Sequence, residues 1–241
     1  MVRIILIRHG ETQWNIEGRY QGQEDTHLSE RGLRQRHMVA EGLKDTPIDV
    51  AISSPLERSY MTCSFCADLH GLPVLKDDRL LEINHGDWEG KLADEIEAKY
   101  PEEFHRWHTQ PHTVTMPGQG GESLEDVRVR ARAAFDDYVR KYDGKTVLVA
   151  AHDAVNKAII CDVLGLDMSH FWQIKQDNTC INVLECQKEG NEGLVKHLQE
   201  EGMKYIDFQP DFAGKGYLLQ RQLRPEARGD IIKLLKENNI R

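Results

Sequence analysis

Val2-Arg3-Ile4-Ile5-Leu6-Ile7-Arg8-His9-Gly10-Glu11-Thr12 changes character within two residues, from an isoleucine-rich run to a charged turn that carries a glycine. A short apolar run of this kind, ended by Gly10, predicts a strand buried on both faces, as found inside parallel sheets. Arg8 and His9 then stand at its carboxyl end, the edge of an open α/β sheet at which ligands bind. A guanidinium beside an imidazole at that edge points to an anionic substrate.

Two later stretches repeat the pattern. Val50-Ala51-Ile52 stops at Ser53-Ser54-Pro55 and leads into a helix with Arg58 about one turn in, and Thr146-Val147-Leu148-Val149-Ala150-Ala151 runs straight into His152. In a parallel sheet these strand ends are neighbours. Two guanidiniums and two imidazoles converging there make a pocket for a phosphate-sized dianion, with backbone amides of residues 10–22 as further donors. A single Arg or His at a strand end is commonly just solvated; recurrence at three ends favours a site.

The intervening segments read mainly as helices. Ser29 caps one that runs to about Leu43, and Ser123-Leu124-Glu125-Asp126 has capping-box spacing ahead of the apolar face Leu124, Val127, Ala131, Ala134, Phe135, Tyr138. A third runs from Ala154 to about Leu164. Gly10 to Leu28 reads as a polar loop, Pro73-Val74-Leu75 as a further strand, and Ile181 to Glu185 as an edge strand paired with Leu194-Val195. Residues 91–121, interrupted by Pro101, Pro111 and Pro117, read as an irregular helical lid. The expected fold is α/β: a three-layer α/β/α arrangement around a mostly parallel central sheet, with a small lid insertion. The domain is expected over 1–200, the lid at about 91–121, with 201–241 a C-terminal extension of unknown role in which Asp230 to Asn239 form a short amphipathic helix.

With 241 residues, 39% hydrophobic and 29% charged, the chain has the composition of a soluble globular protein, and no apolar run approaches a membrane span. The amino terminus enters the first strand at once, so the expectation is a cytoplasmic protein with no membrane partner. A net charge of −9 argues against nucleic acid as a partner, and any positive site must be local. A homodimer is left open. The five cysteines are an odd number and sit mostly in apolar segments, which predicts reduced thiols; Cys63 and Cys66 read as core positions rather than a metal or redox pair. His105, His108 and His112 have superficial metal spacing, but no carboxylate or thiolate set accompanies them, so no metal and no cofactor are expected.

Taken in order, Leu6-Ile7-Arg8-His9-Gly10-Glu11-Thr12 with Trp14-Asn15, Gly18-Arg19-Tyr20-Gln21-Gly22, Ser53-Ser54-Pro55-Leu56-Glu57-Arg58, Glu82 to Gly90, Gly121-Glu122-Ser123 and Ala151-His152 resemble the histidine phosphatase superfamily. The resemblance covers roughly the first 185 residues and includes phosphoglycerate mutases and small phosphomonoesterases. It implies a phosphoglycerate mutase-like fold with His9 as nucleophile, forming a phosphohistidine that water hydrolyses. It further implies that Arg8, Arg58 and His152 hold the phosphoryl oxygens, assisted by Asn15, Gln21 and Gly22, and that Glu82 is the proton donor, with no metal needed. An isolated Glu before a turn would be a surface carboxylate; the motif around Glu82 argues otherwise. His85 either reaches the substrate or caps its loop.

Two departures stand out. Many members of the family carry Gly after the second histidine, where this chain has Asp153. Its carboxylate would repel a phosphate if it pointed inward; the favoured expectation is that it caps the helix from Ala154 while its backbone amide faces the phosphate. Mutases of the family usually have Tyr where this chain has His85, and a longer insertion with paired arginines, which 91–121 lacks. The resemblance therefore implies a metal-independent hydrolase of a small phosphomonoester, with a cofactor-dependent phosphoglycerate mutase as one alternative and a non-catalytic phosphate-binding regulatory module as another.

Overall fold

The computed structural model describes residues 1–186, 206–210 and 217–218. Its strands are β1 (Val2–Arg8), β2 (Val50–Ser53), β3 (Val74–Lys76), β4 (Thr146–Ala151), β5 (Ile181–Cys186), β6 (Ile206–Pro210) and β7 (Tyr217–Leu218). The helices are α1 (Gln13–Glu17), α2 (Glu30–Leu43), α3 (Glu57–Asp68), α4 (Ala93–Lys99), α5 (Pro101–Thr109), α6 (Leu124–Lys141) and α7 (Asp153–Val163). Sheet order is β3-β2-β4-β1-β5-β6-β7. The first four strands in that order run parallel, while β5 is antiparallel to β1 and β6 to β5.

Alternation along the central strands sends side chains to opposite layers. Ile4 and Leu6 of β1, with Val147, Val149 and Ala151 of β4, join Leu124, Val127, Phe135, Val155 and Ile159 of α6 and α7 in one core. Ile5, Ile7, Leu148 and Ala150 point the other way, against Val39, Ala40 and Leu43 of α2 and Cys63, Cys66 and Ala67 of α3. Burial on both faces is what makes β1 and β4 read as continuous apolar runs. The expected three layers are therefore present, and Cys63 and Cys66 are core thiols, both held well above the usual thiol range by burial.

Three local expectations are corrected. The loop between Gly10 and Leu28 contains α1, a single turn with no periodicity to read, held by a reciprocal Thr12 and Asn15 capping box and stopped by Gly18 at φ +73°. β5 is not an edge strand, because β6 pairs with it; Leu194-Val195 and Asp230 to Asn239 lie outside the described residues. Arg58 is the second residue of α3 rather than a turn into it. Over 91–121 the chain is helical and irregular as expected, with Pro101 opening α5 where its missing N–H is of no consequence. No helix among the described residues is long and apolar enough to cross a membrane.

Candidate active site

Parallel pairing carries β1 to its end: the His9 amide still donates to the Ala151 carbonyl at 3.1 Å, so the residues that follow the two strands are adjacent. The rings of His9 and His152 lie 5.2 Å apart. His9 Nδ1 donates to the Gly10 carbonyl at 2.7 Å, which leaves the lone pair on Nε2. Burial, then the Arg58 and Arg8 guanidiniums, hold the His9 imidazole well below its usual basicity, so it is neutral near pH 7. His152 is depressed for the same reasons, burial first, and its Nε2 meets Ser54 Oγ at 2.8 Å.

Arg58 is fully buried and anchored by backbone: Nη2 donates to the Gly22 carbonyl at 2.7 Å and Nη1 to the Glu24 carbonyl at 2.9 Å. Arg8 Nη1 donates to the Gln176 carbonyl at 2.5 Å. Arg8, Arg58 and His152 nonetheless each keep a buried nitrogen with no partner among the described residues, namely Arg8 Nε, Arg58 Nε and His152 Nδ1. Uncommitted donors buried around a neutral imidazole fit an oxyanion, since leaving them permanently unpaired is costly.

Glu82 belongs to a different segment and reaches the site through α7. Its carboxylate accepts the Ile83 amide at 2.9 Å and the Ala154 amide at 3.2 and 3.3 Å. Burial, and next the Asp153 carboxylate, push its pKa up against the opposing pull of that Ile83 bond, Arg58 and Arg8. Arg130 fixes the Glu82 backbone, donating to its carbonyl at 3.0 Å and to Glu122 at 2.8 Å, while Glu122 accepts the Asn84 amide at 2.8 Å. Glu89 ties this loop to the one before α2 by accepting the amides of His85, Gln23 and Glu24. A Cβ on Gly22 would sit 1.8 Å from Glu89 Oε1 and push that carboxylate off the amides it holds.

These groups open into a cavity of about 270 Å³ whose wall includes Arg8, His9, Asn15, Gln21, Glu82 and Asp153 on the polar side. Its aromatic side is formed by Trp14, Tyr20, Trp107, Phe171 and Trp172, with Trp107 supplied by the lid helix α5. Arg58 and His152 are buried beside His9 rather than on the wall, and Gly22 contributes through its carbonyl to Arg58. His85 lines the cavity edge-on to Tyr20 and Trp107, caps nothing with its side chain, and is pushed down to about 4 by burial. Of the lid histidines, His108 donates to the Phe104 carbonyl and stacks on Trp172, and no metal-holding group of His, Cys, Asp or Glu occurs among the described residues.

Asp153 departs from expectation. α7 begins at Asp153, with His152 as its N-cap, and the Asp153 side chain caps nothing. A cap at Asp153 would take the Val155 or Asn156 N–H, but the helix starts one residue earlier, and the Ala154 N–H, second after the His152 cap, is bonded to Glu82. Asp153 instead lines the cavity, its carboxylate 2.7 Å from Lys157 Nζ and 3.7 Å from Arg8 Nη1. Sequence reading also passed over Glu89, Glu122, Arg130 and Lys157. The two glutamates lie inside quoted motifs and were within reach; Arg130 and Lys157 are single basic residues on helices and carry no local signal.

The family model for the histidine phosphatase superfamily (branch 1) matches residues 4–198. The chain is 42% identical over 191 residues to phosphoserine phosphatase 1 of Hydrogenobacter thermophilus, covering 79% of this chain and 90% of that one. Among solved structures, it resembles mycobacterial glucosyl-3-phosphoglycerate phosphatase in complex with VO3 at TM-score 0.70 and 31% identity, covering 76% of this chain and 92% of the other. It also resembles a phosphoserine phosphatase from Entamoeba histolytica in complex with phosphoserine, at TM-score 0.69 and 26% identity over 78% and 92% of the two chains. The sheet edge, the match across most of the chain and these neighbours agree: the chain belongs to the histidine phosphatase superfamily, branch 1, and is a phosphomonoester hydrolase.

Proposed function

We propose that the chain cleaves its phosphomonoester through a phosphohistidine on His9, with Glu82 as general acid and then general base. The observation that carries the reading is the His9 ring, neutral, with Nδ1 committed to Gly10 and Nε2 free among Arg8, Arg58 and His152. In the first step His9 Nε2 forms a bond to phosphorus, the phosphorus–oxygen bond to the leaving group breaks, and the Glu82 proton passes to that oxygen. Arg8, Arg58 and His152 offset charge on the transferring phosphoryl group, with Asn15 and Gln21 on the same wall. In the second step water attacks phosphorus, yields a proton to Glu82, and the phosphorus–nitrogen bond breaks to release phosphate and neutral His9.

For the substrate we infer a small phosphorylated metabolite with phosphoserine first in line. The 42% identity to a phosphoserine phosphatase supports this reading, as does a cavity of about 270 Å³ with room for a short leaving group. A panel of phosphomonoesters assayed with chelator present tests both points. Phosphoserine is expected to give the highest kcat/KM; phosphoglycerate isomerised faster than phosphate is released would overturn the hydrolase reading.

A further inference from the structure

A carboxylate on the wall of a phosphate site needs an explanation, and Lys157 supplies one. Asp153 and Lys157 are four residues apart on α7, the spacing that places them on one helix face, and their charged atoms are 2.7 Å apart. The Lys157 ammonium is almost completely buried and lies over the rings of Phe171 at 4.7 Å and Trp172 at 4.6 Å. A cation in such a place is held by ring faces and a carboxylate together, because unpaired it would be strongly disfavoured. The other Asp153 oxygen is 3.7 Å from Arg8 Nη1, too far for a hydrogen bond but near enough to attract.

We propose that Lys157 is a positioning residue for the phosphate pocket. It draws the Asp153 carboxylate along α7 and away from Arg8, so that a site with an acidic wall still accepts a phosphate dianion. Without the ammonium, Asp153 has one cation left within reach among the described residues, the Arg8 guanidinium that faces the phosphate. The carboxylate then becomes an internal competitor for the substrate. This rests on the reading of the cavity as a phosphate site. It also explains how Asp153 is tolerated where the glycine of many family members would carry no charge.

The test is competition by inorganic phosphate during hydrolysis of p-nitrophenyl phosphate, with KM and kcat recorded, for four forms of the full chain. Lys157→Met keeps the length of the side chain over the two rings and removes the charge; phosphate Ki and KM are expected to rise on the order of tenfold. Asp153→Gly in the Lys157→Met background is expected to restore Ki to about the unsubstituted value, because the competing carboxylate is then gone, so the two substitutions are non-additive. Asp153→Gly alone is expected to tighten phosphate. An unchanged Ki in Lys157→Met, or a weakening that persists in the double variant, overturns the proposal and leaves Lys157 as packing beneath Phe171 and Trp172. If Lys157→Met fails to fold, Lys157→Gln takes its place in the same set, and a phosphate Ki equal to that of the unsubstituted protein there contradicts the proposal. Turnover that phosphate does not inhibit in the unsubstituted protein would overturn the phosphate-site reading and this proposal together.

Discussion

Glu82 closes the amino terminus of α7 by accepting the Ala154 amide, although the two residues are 72 positions apart in sequence. One carboxyl group therefore carries two duties. The helix terminus favours its anion, while burial and Asp153 favour its protonated form, and the latter pair dominate because the pKa is raised.

Glu82→Gln keeps a similar shape but has no proton to give. It is expected to lower kcat on an alkyl phosphate such as phosphoserine by roughly 10²- to 10⁴-fold. On p-nitrophenyl phosphate, whose leaving group needs little protonation, the loss is expected to be far smaller. Steady-state rates on the two substrates measure this, and equal losses would contradict the assignment of Glu82 as acid.

Arg130 reaches the backbone carbonyls of Arg79 and Glu82 and the Glu122 carboxylate, and so fixes the loop that bears the acid. Arg130→Met is expected to lose about 2 kcal/mol of stability through unpaired acceptors and to lower kcat on an alkyl phosphate more than kcat on p-nitrophenyl phosphate. Urea unfolding alongside the two rates checks both. Equal loss on the two substrates would reduce Arg130 to a purely structural role.

Three buried imidazoles link stability to acidity. His9, His152 and His85 all have basicity depressed by burial first, His85 to about 4. Above the unfolded-state pKa of about 6.5 both states are neutral and the groups contribute nothing to the pH dependence. Below it the unfolded chain takes up protons that the folded chain refuses, so folding is progressively opposed as pH falls from 7. His85 alone accounts for about 2 kcal/mol at pH 5. Glu82 acts with the opposite sign, gaining stability as it protonates below its raised pKa. Urea titrations at pH 7 and 5 are expected to show a net loss of stability on acidification, reduced in His85→Gln; a loss of the same size in that variant would remove His85 from the account.

What could be read from sequence follows from how local its cause is. β1, β4 and the basic residues behind them were legible because burial on both faces forces continuous apolar runs, and because Arg8, His9 and His152 adjoin those runs directly. Glu82 was legible only through the motif around it, since its carboxylate finds its place through α7. Asp153 was misread for a related reason: capping preference concerns sequence neighbours, whereas α7 starts one residue earlier, at the His152 cap, with Glu82 from another segment on the Ala154 amide, and the Asp153 carboxylate turns to Lys157. Lys157 looked like one polar position on a helix, and only the packing of Phe171 and Trp172 over it reveals a buried charge.

The central claim, attack by His9, is tested most directly by trapping the intermediate. The protein is mixed with ³²P-labelled phosphomonoester, quenched in alkali within one turnover, and the label on the chain is mapped. The prediction is covalent label on His9, stable to alkali, labile to acid and absent from His9→Ala. Label that resists acid, or label and turnover that both survive His9→Ala, would contradict it.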